Sequence, residues 1–93
     1  MRYDVIIIGG GDGDATLGLK ILEAGKSCAL LCEGRISEDK TREAFRSAGG
    51  VLLMGDRVRE VKWESDTKVE ALFTENLGDT PLKAGCFVLC SGR

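Results

Sequence analysis

Histidine is absent from this chain of 93 residues, and the absence narrows the chemistry that the chain can perform. Histidine is the commonest general base in enzymes and the commonest metal ligand in proteins. We therefore predict neither a hydrolase triad nor a zinc site, and we expect no catalytic residue and no metal ligand. Any catalysis would have to come from a bound cofactor.

An excess of positive charge and a long apolar run are also missing. The formal net charge is −2 and no basic cluster stands out, so we expect no nucleic-acid partner and no attraction to an anionic membrane surface. The apolar runs are too short to form a transmembrane segment, and we find no cleavable leader. We therefore expect a cytoplasmic protein, with residues 1–93 forming a single domain.

Cysteines occur as two pairs, Cys28 with Cys32 and Cys86 with Cys90. In an extended strand, residues four apart lie on one face but roughly 13 Å apart, because each residue advances about 3.3 Å. Neither pair can therefore close a disulfide or share a zinc ion. We expect four reduced thiols that act as small buried apolar groups.

The start of the chain predicts a buried strand followed by a glycine-rich turn and a helix. Residues 5–8 are an uninterrupted β-branched run, as in a parallel strand covered on both faces. A glycine turn after such a strand lets a phosphate approach the unpaired N–H groups of the next helix. The candidate cofactor-binding residues of this turn are Gly9, Gly10, Gly11, Asp12, Gly13 and Asp14.

Asp14 stands where the fingerprint G-x-G-x-x-G would place its third glycine. Two interpretations of the turn stay open. Either Gly9, Gly11 and Gly13 contact a phosphate, or the turn is inherited from a binding protein and its aspartates have replaced the ligand's charge with their own. Asp14 itself is interpreted either as the N-cap of a helix over residues 15–24 or as an exposed surface residue.

Further candidate cofactor-binding residues follow the second and last strands. A second strand over residues 28–32 places Cys32 where an acidic residue usually binds the adenosine ribose. Glu33 comes one residue later and is interpreted as a ribose ligand or as a solvated carboxylate, with Gly34 beside it. A cofactor without an adenosine half, such as FMN, would not need that acid. After the last strand, over residues 87–90, Ser91 and Gly92 are small enough for close approach of a flavin, although an ordinary turn explains them as well.

The remaining elements complete a Rossmann-like α/β prediction. We expect a second helix capped by Ser37, with an apolar stripe of Ala44, Phe45 and Ala48, and then a third strand over residues 51–54. Residues 58–83 predict an antiparallel β-meander with one wet face. The predicted fold has three layers: two helices, a parallel sheet in the order third-second-first-last strand, and the meander on the opposite face. The aromatic residues predicted to lie in the core are Phe45, Trp63, Phe73 and Phe87.

Three stretches resemble the B-type subunit family of anaerobic glycerol-3-phosphate dehydrogenase. They are residues 3–11 (YDVIIIGGG), residues 48–58 (AGGVLLMGDRV) and residues 87–92 (FVLCSG). The resemblance implies the flavin-binding domain of an oxidoreductase that oxidises glycerol 3-phosphate. The long substrate-binding segment of that family, between the second strand and the second helix, is missing here.

Two functions therefore stay open at the level of sequence. The first is a flavin-binding domain, with FAD or FMN as its cofactor, that is not catalytically competent alone. The second is a non-catalytic Rossmann-fold scaffold or interaction module that has lost its nucleotide. The sequence also leaves open whether the chain assembles with itself or with other subunits.

Overall fold

The computed structural model describes residues 2–9, 12–32 and 40–90. These residues form two helices and six strands. In chain order they are β1 (Arg2–Ile8), α1 (Asp12–Glu23), β2 (Cys28–Cys32), α2 (Lys40–Ser47), β3 (Val51–Met54), β4 (Val58–Ser65), β5 (Lys68–Thr74) and β6 (Lys83–Leu89).

The central layer is a parallel sheet with the strand order β3-β2-β1-β6. This confirms the predicted order, in which the first strand separates the two cysteine-bearing strands. Ile8 lies opposite both Leu31 and Leu89, so β2, β1 and β6 end at the same level. Residues that follow these strands are thereby gathered at one edge of the sheet.

The two faces of this sheet bury separate apolar clusters. Successive residues of a strand point to opposite faces, and Ile7 accordingly packs toward the helices whereas Ile6 packs toward the hairpin formed by β4 and β5. The helix-side cluster contains Leu30, Cys32 and Phe45, and the hairpin-side cluster contains Ala29, Leu72 and Leu82. The predicted three-layer arrangement is confirmed.

Phe45 joins the two helices and is fully buried. A Cβ atom at Gly18 of α1 or at Gly50 after α2 would overlap its ring, so both positions need glycine for the ring to fit. The predicted apolar stripe is correct only for Phe45, because Ala44 and Ala48 are exposed. The buried face of α2 instead carries Arg42, one helical turn before Phe45.

The predicted meander is a two-stranded hairpin, because its third segment belongs mainly to the parallel sheet. Leu82 makes a single antiparallel bridge to Leu72, whereas Lys83 already pairs with Arg2 of β1. The hairpin's wet face carries the expected alternating charges, with Lys62 Nζ 3.0 Å from a carboxylate oxygen of Glu70.

Trp63 is not a core residue, since its exposed fraction is 58%. Strand β4 is exposed along almost its whole length, and its alternation of apolar and polar residues therefore does not lead to burial. Phe73 and Phe87 are half-buried, as their place between the hairpin and the sheet allows.

Neither helix of the described chain has both the length and the apolar character needed to cross a membrane.

Candidate functional site

The candidate site lies at the carboxyl edge of the parallel sheet. The Gly9 N–H donates to the Leu31 carbonyl (3.0 Å), and the Cys90 N–H donates to the Ile8 carbonyl (2.8 Å). These bonds continue the strand register by one residue, so Gly9 lies between the ends of β2 and β6. Open α/β sheets bind their ligands at this edge.

Helix α1 starts at this edge and offers an accessible first turn. Gly13 is exposed, and a Cβ atom built there would meet no other described atom within 4 Å. The first N–H groups of a helix lack partners within it and, together with the helix dipole, favour an anion. The start of α1 can therefore accept a phosphate over Gly13.

Asp14 corrects both interpretations drawn from its sequence position. The helix begins at Asp12, so Asp14 lies inside the first turn and is not the N-cap, and its exposed fraction is only 6%. A Cβ atom at Gly9 would overlap the Asp14 carboxylate and would lie 3.0 Å from Cβ of Cys90. The carboxylate thus points down toward Gly9 and occupies the space that a side chain at position 9 would take.

Asp14 also influences the two thiols that flank Gly9. Burial raises the pKa of the Cys90 thiol, and hydrogen bonding and charge repulsion from Asp14 raise it further. Burial likewise raises the pKa of Cys32; the nearby Arg42 guanidinium opposes this rise and Asp14 adds to it. Both groups are therefore neutral thiols at physiological pH, and neither is an activated nucleophile.

Cys32 ends β2 as predicted, but its side chain lies in the helix-side core with no exposed area. The structure thus brings together Gly9, Gly13, Asp14 and Cys32 at the sheet edge and adds Cys90 to them. The other predicted positions lie outside the described residues. These are Gly10, Gly11, the side chain of Asp12, Glu33, Gly34, Ser91 and Gly92, together with the predicted helix cap at Ser37.

Asp56 is a buried carboxylate next to this edge, with 3% of its surface exposed. Its N–H donates to the Cys32 carbonyl (3.2 Å), and its Oδ1 accepts the N–H groups of Arg57 (2.8 Å) and Asn76 (3.0 Å). Burial alone would raise the pKa of Asp56, but hydrogen bonds from Thr74 and these two N–H groups outweigh it and lower the pKa. Asp56 therefore anchors the hairpin to the end of β2.

Sequence reasoning missed Arg42, Asp56 and the partnership of Asp14 with Cys90. Helical spacing gives a signal for Arg42, because it precedes the buried Phe45 by three residues. The aspartate that follows Gly55 directly after β3 is a weaker signal for a turn-forming carboxylate. The contact between Asp14 and Cys90 joins residues far apart in sequence and leaves no local signal.

A cleft of about 840 Å³ opens on the hairpin side of the same edge. Its floor comes from the sheet and its roof from the hairpin, and Gly9 lies on its border. The apolar side chains that line it are Ile8, Leu31, Val58, Val61, Trp63, Val69, Leu72, Phe87 and Leu89. In the described part of the chain, no group of three acidic or cysteine side chains could hold a metal ion.

The parallel sheet, the glycine turn that opens α1 and the hairpin on the opposite face define the class: a Rossmann-like α/β fold of the dinucleotide-binding type. No family model matches the chain. Over 55 residues, or 59% of its length, it is 40% identical to the B-type subunit of anaerobic glycerol-3-phosphate dehydrogenase from Vibrio vulnificus. This confirms the predicted resemblance over part of the chain, and the matched region spans 13% of that relative's length.

Solved structures show the same fold at low sequence identity. A geranylgeranyl bacteriochlorophyll reductase-like protein from Thermoplasma acidophilum superposes with a TM-score of 0.77 and 13% identity, over 98% of this chain and 39% of that one. A myxobacterial chondrochloren halogenase, described as a variant of FAD-dependent halogenases, gives a TM-score of 0.77 and 13% identity over 98% of this chain and 37% of that one. At these identities the likeness establishes the fold.

Proposed function

We propose that residues 1–93 are the flavin-binding domain of an FAD- or FMN-dependent oxidoreductase. The observation that carries this proposal is the open space over Gly13 at the start of α1, at the sheet edge where such folds bind nucleotides. The partial identity to one subunit of a glycerol-3-phosphate dehydrogenase and the FAD-dependent structural neighbour support the choice of a flavin.

The residues present fit a nucleotide phosphate at this position. The helix start is exposed, and the Asp14 carboxylate that would repel a phosphate is buried against Gly9. In this proposal the first-turn N–H groups of α1 bind the phosphate and orient the cofactor along the sheet edge. A bound flavin would supply hydride transfer, which none of this chain's own residues can provide.

Flavin binding can be tested by the absorption spectrum of the purified protein and by melting with added FAD or FMN. A ligand at about a hundred times its Kd stabilises the folded state by about 2.7 kcal/mol, so the melting temperature should rise by several degrees. Gly13→Asp should weaken that stabilisation because it adds a carboxylate at the phosphate position. Thr16→Asp adds the same charge about one turn further along α1 and should weaken it less. An unchanged melting temperature with both flavins would contradict the proposal.

A second candidate function is a scaffold or interaction module that no longer binds a nucleotide. Asp14 favours this candidate, because its carboxylate fills space beside Gly9 where the fingerprint has a glycine. The substitution Asp14→Gly separates the two candidates when the wild type shows no flavin. A gain of binding would show that Asp14 blocks a working site, and no gain would favour the scaffold.

The remaining parts of the proposal concern the chain's setting. We propose that it does not oxidise glycerol 3-phosphate alone, that it resides in the cytoplasm, and that it assembles with itself or with further subunits. A dye-linked assay on the flavin-loaded chain, cell fractionation and light scattering test these three statements in turn. Turnover by the isolated chain would contradict the first.

A further inference from the structure

The cleft between the hairpin and the sheet is large and apolar for a chain of this size. Its volume of about 840 Å³ is within the range of roughly 300–1,000 Å³ typical of small-molecule sites. Sheet residues Ile8 and Leu31 form its floor, and Val61 and Trp63 of β4 form the opposite wall. The shape is that of a slot between two layers of secondary structure.

The polar groups at this cleft already have partners. The Asp56 carboxylate accepts the N–H groups of Arg57 and Asn76, and the Arg57 side chain lies 3.5 Å from a carboxylate oxygen of Glu75. The walls that remain are apolar. A charged group placed between them would lose its hydration without gaining a partner, so the cleft suits an uncharged ring.

Two large apolar side chains at the cleft are left in solvent. Trp63 has an exposed fraction of 58% and Leu89 of 81%. Exposed apolar groups that cluster at a concave surface mark binding sites, because covering them gains about 25 cal/mol per Å². An exposed tryptophan beside a slot also offers a flat surface on which a planar ring can stack.

The cleft is continuous with the turn that opens α1, since Gly9 borders both. A ligand whose phosphate lies at the start of α1 therefore has an apolar slot adjacent to it. We propose that this slot holds the isoalloxazine ring of the flavin, packed against Trp63 and Val61. This inference rests on the proposed function and deepens it by assigning the ring end of the cofactor to the hairpin.

Lumiflavin, which carries the flavin ring without a phosphate, tests the slot separately from the helix start. Trp63 is the only tryptophan of the chain, so its fluorescence reports directly on this wall. Lumiflavin should quench it saturably. Val61→Asp places a charge in the slot and should weaken lumiflavin at least about tenfold, or about 1.4 kcal/mol. Thr67→Asp adds the same charge at the hairpin turn and should leave binding unchanged.

The same titrations distinguish a failure of the slot from a failure of the phosphate site. Gly13→Asp should weaken FAD but leave lumiflavin binding intact. If Val61→Asp does not fold, Leu89→Asp is the second variant, because that side chain is almost fully in solvent. Equal quenching by adenosine would show a purine site and overturn the assignment. Unsaturable quenching would overturn it, as would quenching that disappears when light scattering shows a dimer covering the slot.

Discussion

Gly9 and Gly13 belong to the same glycine-rich turn but have opposite surroundings. Gly9 is closed off by Asp14 and Cys90, whereas Gly13 faces open space. Gly9→Ala should lower the free energy of unfolding by about 1–3 kcal/mol, because its Cβ forces the buried carboxylate to move. Gly13→Ala, the matched control, should raise it by up to about 1 kcal/mol through helix propensity. Chemical denaturation measures both, and equal effects would show that Asp14 does not fill the space beside Gly9.

The four cysteines are free but differ in how accessible their sulfur atoms are. Cys86 is exposed, whereas burial raises the pKa of the Cys28 thiol to about 11. Since the thiolate is the reactive form, a disulfide reagent at neutral pH should label Cys86 first and should reach Cys28 only on unfolding. Cys86→Ser should remove the fast phase. A fast phase that survives this substitution would place the reactive thiol elsewhere.

At the scale of elements, Phe45 decides whether α2 packs against α1. Its ring is buried and fits only because Gly18 and Gly50 have no side chain. Phe45→Ala should cost roughly 3–5 kcal/mol, since it removes the ring and leaves a cavity between the helices. Arg46→Ala, on the exposed side of α2, should cost far less. Thermal melting followed by circular dichroism checks both, and similar losses would refute this role of Phe45.

The parallel strands and their order could be predicted because their cause is local: apolar runs, glycine stops and the handedness of βαβ units. Gly25 illustrates this, since its positive φ of 83° ends α1 where the sequence places a stop. Trp63 shows the limit. Its alternating pattern gives a face of β4, but burial depends on whether another layer covers that face.

The candidate site was predictable only in part for the same reason. The turn at Gly9 and the end of β2 at Cys32 follow from strand boundaries, and the structure places both at one edge. The inward orientation of Asp14 depends on Cys90, which is brought beside Gly9 by the pairing of β6 with β1. A single sequence does not state which distant strand completes an edge.

For the whole molecule, Asp56 is the polar link between the parallel sheet and the hairpin layer. Its N–H reaches the end of β2, and its carboxylate holds Thr74 and Asn76 at the end of β5. Asp56→Asn should lower the free energy of unfolding at about pH 7 by roughly 1–3 kcal/mol, because the buried N–H donors lose a charged acceptor. Asp66→Asn, at the exposed hairpin turn, is the control and should have little effect.

The acid dependence gives this prediction a sign. The pKa of Asp56 is lowered by folding, so its stabilising contribution is present above the unfolded value of about 3.9 and is lost as pH falls through the lower folded value. The melting temperatures of the wild type and Asp56→Asn should therefore differ near neutral pH and converge in strong acid. Melting curves across that range measure the difference. A gap that stays constant with pH would show that the Asp56 charge does not hold the two layers together.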